Sequence, residues 1–337
     1  MKRYFQIILI MCTAAGSFPA KAQGEVKPAF KVIITGSGGG IEEDNLNSYL
    51  LAGINSNDFI MLDAGTLVSG IEKAVNGGSF YDVFVPPQQG VTKTEYIFRH
   101  LIRAYLISHP HLDHVSGLVI GSPADTSKSV YASAHTIEVM KKHLFNWEVW
   151  PNFANEGEGY ALGTYTYRTL RPGQPERIKG TAFEVTAFPV SHQEPYESTA
   201  FLISRYGEYV LYVGDTGPDE IEEKNHLSSL WLEIAPLISE NRLHAIFIEC
   251  SYPSDRPDAQ LYGHLNPQWL ARELGRLAGE VDELNPGTTI NGLKVVVTGI
   301  KPTFDGDAGY LIHRQLLERN EYGVQYIIPE QGQRIEF

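Results

Sequence analysis

Three histidines and an aspartate fall within six residues in the run His109-Pro110-His111-Leu112-Asp113-His114. The apolar stretch Ala104 to Ile107 comes directly before it and reads as a buried strand, which Pro110 prevents from continuing as a regular ladder. The four side chains are therefore expected on a loop at a strand end, where the backbone can fold them around a common point. Imidazole and carboxylate together suit Zn²⁺ and similar borderline cations. A histidine-rich surface turn is the plain alternative, but this spacing immediately after a strand favours metal.

Further residues of the same chemistry follow at the ends of other apolar runs. Phe183 to Phe188 alternates as a half-buried strand and delivers His192. The strand Glu208 to Val213 delivers Asp215, and His264 sits in the Gly-containing turn Leu261 to Leu265. Upstream, the strand Phe59 to Leu62 ends at Asp63-Ala64-Gly65-Thr66, where a helix N-cap is the simplest role for the carboxylate. His135 lies at a strand end ahead of a helix over Thr136 to Phe145, with ligand binding as its less favoured reading. His143 is expected on the solvated face of that helix, and His100, His226, His244 and His313 have no place in the pattern.

These residues need a scaffold rich in strands. Lys31 to Ile34, Asn47 to Ala52, Val130 to Ser133, Thr199 to Ser204, Ala245 to Ile248 and Lys294 to Thr298 read as further strands. Helices are expected over His114 to Ile120, from Pro267 onward and over Ala308 to Arg319. The Gly-rich loop Thr35 to Gly40 lacks the Lys-Ser/Thr of a P-loop and reads as a tight turn near the site. Residues 146–167 carry many rings with little period. They read as packing, with stacking of a purine as the alternative.

The N-terminus has the features of a secretory signal peptide: Lys2-Arg3, an apolar run from Tyr4 to Met11, and Ala20-Lys21-Ala22 as the cleavage site. The apolar run is too short to span a bilayer. Residues 1–22 are thus read as a leader cleaved after Ala22, and 23–337 as one domain, secreted or periplasmic, with no membrane contact after cleavage. The leader holds three of the 27 basic residues and none of the 40 acidic ones, so the mature chain carries a formal charge of −16. Such a surface repels polyphosphate and argues against a long nucleic acid as partner. Cys250 is the one cysteine beyond the leader, so no intrachain disulfide forms and stability must come from core burial and bound metal.

The extended run His109 to Pro123 resembles the signature of class II 3′,5′-cyclic nucleotide phosphodiesterases, within the metallo-β-lactamase fold. Ser191-His192, Ser198-Thr199-Ala200-Phe201, Gly214-Asp215 and Tyr262-Gly263-His264-Leu265 are similar to that family as well. The resemblance implies an α/β fold, an αββα sandwich of two mixed β-sheets flanked by helices. It implies two divalent ions, Zn²⁺ foremost with Mn²⁺ or Fe²⁺ as alternatives. One would be held by His109, His111 and His192, the other by Asp113, His114 and His264, with Asp215 bridging. It implies Asp63 as a supporting carboxylate for the histidines. Asp113 and Asp215 become the catalytic carboxylates, Asp113 orienting the nucleophile, while Ser198, Thr199, Lys301 and His135 become substrate contacts. The implied reaction is attack of metal-activated hydroxide on cyclic AMP or cyclic GMP to give the 5′-monophosphate, by a monomer or homodimer. The rival readings are an RNase Z-like nuclease, a lactonase or a thioesterase on the same fold, or a metal-binding protein without turnover.

Overall fold

A computed structural model describes residues 28–304 and 306–337, so the expected leader lies outside the described residues. Among the described residues, fourteen strands form two seven-stranded sheets. Along the chain they are β1 (Phe30–Gly36), β2 (Ser48–Gly53), β3 (Phe59–Leu62), β4 (Ile102–Leu106), β5 (Lys128–Ala132), β6 (Tyr165–Thr169) and β7 (Pro175–Arg177), then β8 (Glu184–Ser191), β9 (Glu197–Arg205), β10 (Glu208–Val213), β11 (Leu243–Glu249), β12 (Lys294–Thr298), β13 (Gln325–Ile327) and β14 (Arg334–Glu336). The first sheet runs β14-β1-β2-β3-β4-β5-β6, and the second runs β13-β12-β11-β10-β9-β8-β7. Both are mixed: β1 pairs antiparallel with β2, β3 to β6 run parallel, and β10, β11, β12 and β13 run parallel beside the antiparallel β8-β9-β10.

Eight α-helices occur among the described residues: α1 (Val68–Asn76), α2 (Lys93–Tyr96), α3 (Leu112–Gly121), α4 (Ala134–His143), α5 (Asp219–Glu222), α6 (His226–Ser239), α7 (Pro267–Leu284) and α8 (Ala308–Glu318). The period-2 alternation of β1 shows how the layers form. Phe30, Val32 and Ile34 enter an apolar cluster between the sheets, with Phe201, Val210 and Phe247 of the second sheet. Ile33 points the other way, into the layer holding Ile71 of α1, Val115 and Leu118 of α3, and Ile137 and Met140 of α4. The second sheet has its own outer layer, with Trp231 and Ile234 of α6, Leu270 and Leu274 of α7 and Ile312 of α8. Strands buried on both faces carry apolar residues at every position, which is why they read so clearly in the sequence.

Several expectations shift. The helix after the histidine run starts at Leu112 rather than His114. Only His109 to His111 are therefore loop, while Asp113 and His114 occupy the first helical turn. An acidic side chain is favoured there by the exposed amides of the helix start. Sequence periodicity missed β6 inside the ring-rich segment and the three-residue strands β7, β13 and β14. Short edge strands are defined by pairing with a neighbour, which local pattern does not carry. Much of the ring-rich segment packs: Ala154, Tyr165 and Tyr167 join the outer core of the first sheet, with Trp150 and Phe153 against it, while Trp147 and Tyr160 stay exposed.

Close backbone approach explains one glycine of the Asp63-Ala64-Gly65 turn. A Cβ on Gly65 would lie 2.1 Å from the carbonyl oxygen of Asp113. Gly65→Ala is therefore expected to lower stability by about 1–3 kcal/mol or more through overpacking. Gly279, exposed in α7 with nothing within 4 Å of a Cβ, should behave oppositely, Gly279→Ala gaining about 0.5–1 kcal/mol. Urea midpoints of the two variants test the contrast, and equal shifts would contradict it.

Candidate metal centre

The chemistry-bearing residues gather where several strands end on one side of the sandwich. Asp63 follows β3, Ser108 to His111 follow β4, His192 follows β8, Asp215 follows β10, and Lys301 follows β12. Asp63 is fully buried, at φ 51°. Its carboxylate accepts from the Ser108 amide at 2.7 Å, the Ser108 hydroxyl at 2.7 Å and Tyr212 Oη at 2.6 Å, and lies 2.7 Å from His114 Nδ1. A carboxylate beside Nδ1 holds the proton there and leaves Nε2 as the nitrogen that faces inward. That Nε2 lies 3.3 Å from Asp215 Oδ1.

The other histidines are oriented in similar ways. His192 Nδ1 donates to the Gly263 carbonyl at 2.8 Å, and its Nε2 faces His111 Nδ1 at 3.3 Å. His264 Nδ1 lies 2.7 Å from Glu249 Oε1 and 3.6 Å from Asp215 Oδ2. His109 Nδ1 is 3.0 Å from Ser108 Oγ, while His109 Nε2 is buried with no hydrogen-bond partner. An orphaned nitrogen in such a place costs free energy unless something supplies its partner.

Three sets of donors converge closely enough to share a cation: His109, His111 and His192; His109, His114 and Asp215; and His192, Asp215 and His264. Within each set the donor atoms lie within 4.8 Å of one another. This is a buried nitrogen and oxygen donor set of the kind borderline divalent cations take. His109, His192 and Asp215 each belong to two sets. Asp113 belongs to none of them: its Oδ2 is 3.1 Å from Lys301 Nζ and 4.0 Å from His114 Nε2. The Lys301 ammonium also lies 3.9 Å from Asp215 Oδ2.

Electrostatics divides the histidines. Burial, reinforced by the charge of neighbouring imidazoles, holds His109 well below the ordinary range and pulls His111 down to about 4. Burial also lowers His192. These rings are neutral at pH 7, with a lone pair to offer. His114 goes the other way: burial opposes its charge, but Asp215 and Asp63 outweigh burial and raise it well. His264 is raised likewise, where Glu249 outweighs burial. Asp215 is held well below the usual carboxylate range against its own burial, by His114 and Lys301.

The remaining expected contacts are placed differently. Ser198 and Thr199 are buried at the start of β9, and Ser198 Oγ has no partner. A Cβ on Gly214 would lie 2.6 Å from that oxygen, so the serine sits beneath the Asp215 turn. His135 is half-buried at the start of α4 and makes no hydrogen bond or ion pair with the cluster among the described residues. The Gly-rich loop is a close neighbour: a Cβ on Gly39 would lie 3.0 Å from both Asp113 Oδ2 and Lys301 Nζ.

Sequence reasoning missed Glu249, which also accepts from the amides of Thr216 at 3.1 Å and Ser251 at 3.0 Å. The signal was present, since an acidic residue ends an otherwise apolar strand, as Asp63 does. Ser108, Tyr212 and Asn47, whose Nδ2 lies 3.2 Å from His114 Nε2, carried no comparable signal.

Comparison with known proteins agrees with this geometry. The family model for class-II cAMP phosphodiesterases matches residues 30–332. The chain belongs to that family. It is 37% identical over 332 residues to the 3′,5′-cyclic-nucleotide phosphodiesterase of Aliivibrio fischeri, covering 98% of each chain. The crystal structure of unliganded yeast PDE1 superposes with a TM-score of 0.79 at 26% identity, over 92% of this chain and all of that one. The metallo-β-lactamase fold protein YhfI of Bacillus subtilis, at 18% identity, 92% coverage of this chain and a TM-score of 0.57, shares the fold. The enzyme is thus a metallo-β-lactamase-fold member of the class-II phosphodiesterases, with a buried His/Asp cluster fit to hold metal.

Glu249→Gln should keep the fold yet weaken zinc affinity about 10- to 100-fold, because His264 loses the carboxylate that orients it. Unchanged affinity in a competitive chelator titration would remove Glu249 from the site. Protons and metal compete for the same nitrogens, and the neighbouring carboxylates raise His114 well above, and His264 above, the ordinary imidazole range when no cation is bound. Zinc uptake near pH 7 should therefore release protons, and affinity should fall as the medium is acidified. Calorimetry in buffers of different ionisation enthalpy reads this directly; no proton release would contradict the assignment.

Proposed function

We propose that the chain is an exported phosphodiesterase that opens 3′,5′-cyclic nucleotides to 5′-monophosphates at a two-metal centre. The substrate class rests on near full-length similarity to the Aliivibrio fischeri protein, whose name states that activity. The metal requirement rests on the orphaned, buried His109 Nε2 among converging donors. We assign His109, His111 and His192 to one ion and His114 and His264 to the other, with Asp215 between them and Asp113 adjoining the second. Zinc suits this donor set best, with Mn²⁺ or Fe²⁺ as alternatives.

When bound, such ions acidify water and neutralise phosphoryl oxygens as charge builds. The chain's own residues do the rest. Asp63 and Glu249 orient His114 and His264 through their Nδ1 atoms. Lys301 is protonated: burial opposes its charge, but Asp215 and Asp113 outweigh that and raise its pKa. Its ammonium is the cation available to a phosphoryl oxygen, and Asp113, 3.1 Å away, holds it in position. Ser198, Thr199 and His135 remain assigned as weaker contacts, Ser198 acting from beneath the Asp215 turn. Export rests on the charged, apolar and Ala-x-Ala pattern of residues 1–22, and residues 23–337 act as one catalytic domain. The acidic surface favours a small nucleotide over a long nucleic acid.

The deciding assay offers the zinc-loaded mature protein cyclic AMP, cyclic GMP, bis(p-nitrophenyl) phosphate and a lactone. Turnover of a cyclic nucleotide to its 5′-monophosphate, abolished by chelator, is expected. Turnover of the lactone alone would overturn the substrate assignment. Asp215→Ala should lose both metal and turnover, and full activity in that variant would sink the site assignment. Lys301→Ala should lower kcat/KM about 10- to 100-fold while leaving metal content near normal, as loss of one charge-assisted phosphate contact predicts.

A further inference from the structure

The rings nearest the metal centre are not those of residues 146–167. In that segment Trp147 Nε1 donates to the Tyr160 carbonyl at 2.8 Å and Trp150 Nε1 to Ser122 Oγ at 3.0 Å. Two tyrosines on other loops, Tyr196 and Tyr252, stand beside the histidines instead, and Tyr262 adjoins Tyr252 through Arg256. The Tyr196 ring lies 4.6 Å from the His111 ring at 75° and 6.1 Å from the His192 ring. The half-buried Tyr252 ring meets His264 edge-on at 5.7 Å. The Arg256 guanidinium lies over Tyr252 at 3.7 Å and 5.6 Å from the Tyr262 ring.

Tyr196 and Tyr262 are both 52% exposed. The two loops that carry them are in contact. The Tyr196 amide closes a turn onto the Gln193 carbonyl at 3.0 Å, and a Cβ on Gly263 would lie 2.5 Å from the Gln193 amide nitrogen. Gly263, at φ 76°, is what lets the loops approach this closely. Arg256 Nε donates to the Gln260 carbonyl at 2.7 Å, and no carboxylate pairs with its guanidinium among the described residues. No ring stacks face to face on Tyr196 either. An exposed ring gains nothing from the core, and an unpaired guanidinium on an aromatic stack presents its donors to whatever lies alongside.

Resting on the phosphodiesterase reading above, we propose that the heterocyclic base of the substrate stacks on Tyr196, with Tyr262 and the Arg256 guanidinium on the adjoining loop as its second contact. The phosphate of a cyclic nucleotide must sit at the donor cluster, so its base must extend across whatever borders that cluster. On the His111 and His192 side the border is Tyr196, and on the His264 side it is the tyrosine and arginine stack. Every base has a π-face, so this contact admits adenine and guanine alike. A choice between them falls to the hydrogen-bond donors of Arg256 at the base edge.

The test compares cyclic AMP with the abasic ribose 3′,5′-cyclic phosphate, using the zinc-loaded protein. Loss of a base-stacking ring is worth about 5- to 100-fold. Tyr196→Ala should therefore raise KM for cyclic AMP about tenfold or more relative to its effect on the abasic compound, with kcat less affected. Tyr196→Phe should restore the wild-type KM, and Tyr262→Ala should act in the same direction as Tyr196→Ala but more weakly. Metal analysis accompanies each variant, because Tyr196 touches His111. A fall in bound zinc, or equal losses on both substrates, would show a merely structural role and overturn the proposal. Wild-type protein that opens neither cyclic compound would overturn the phosphodiesterase reading itself, and the stacking proposal with it.

Discussion

The buried carboxylate of Asp63 is the contact on which the rest of the site depends. It stands at the end of β3 in the first sheet, yet Tyr212, which donates to it at 2.6 Å, belongs to β10 of the second. The same group takes the Ser108 amide and hydroxyl and faces His114 Nδ1. A charged carboxylate with no solvent exposure is tolerable only when its lone pairs are filled, and here they are. Hydrogen bonds to a charged group are worth about 1.5–3 kcal/mol each. One side chain thus joins the sheets, shapes the loop after β4 and orients His114 within the buried His/Asp cluster.

Glu249 repeats the arrangement on the second sheet. It ends β11, accepts from the amides of Thr216 and Ser251, and faces His264 Nδ1. Asp215 lies between the two systems, 3.3 Å from His114 Nε2 on one side and 3.6 Å from His264 Nδ1 on the other. Two acidic residues at strand ends, one per sheet, therefore hold their histidines toward a shared third carboxylate. The neutral rings His109, His111 and His192 complete the ring of donors, kept neutral chiefly by burial. Carboxylate-fixed and burial-neutralised histidines are thus gathered before any cation arrives, with His114 and His264 having a proton to give up as one binds.

Backbone crowding is the second constraint. Gly65, Gly214 and Gly263 sit where the nearest atom of a neighbouring segment lies 2.1–2.5 Å from a hypothetical Cβ. Their absence of side chain lets the loops after β3, β8 and β10 converge without pushing the His/Asp cluster apart. The same crowding puts Ser198 beneath the Asp215 turn and brings the tyrosines of the 193–196 and 261–263 loops to the border of the cluster.

The sequence by itself determined the alternation of buried strands, the residues at their ends and the chemistry they could do. Apolar runs buried on both faces leave a plain signal, and a strand that stops at His, Asp or Glu announces a polar group at a sheet edge. Tertiary structure alone decided which of those groups meet. Asp113 and His114 are adjacent in the chain, yet one pairs with Lys301 across 188 positions and the other with Asp63 across 51. The partners Ser108, Tyr212 and Asn47 have no local signature, because a hydrogen bond between segments distant in the chain is set by packing. Short strands such as β7 and β14 and the packed fate of the ring-rich segment were closed to sequence for the same reason. Each depends on what lies alongside in space, and periodicity reports only which way a side chain points along its own strand or helix.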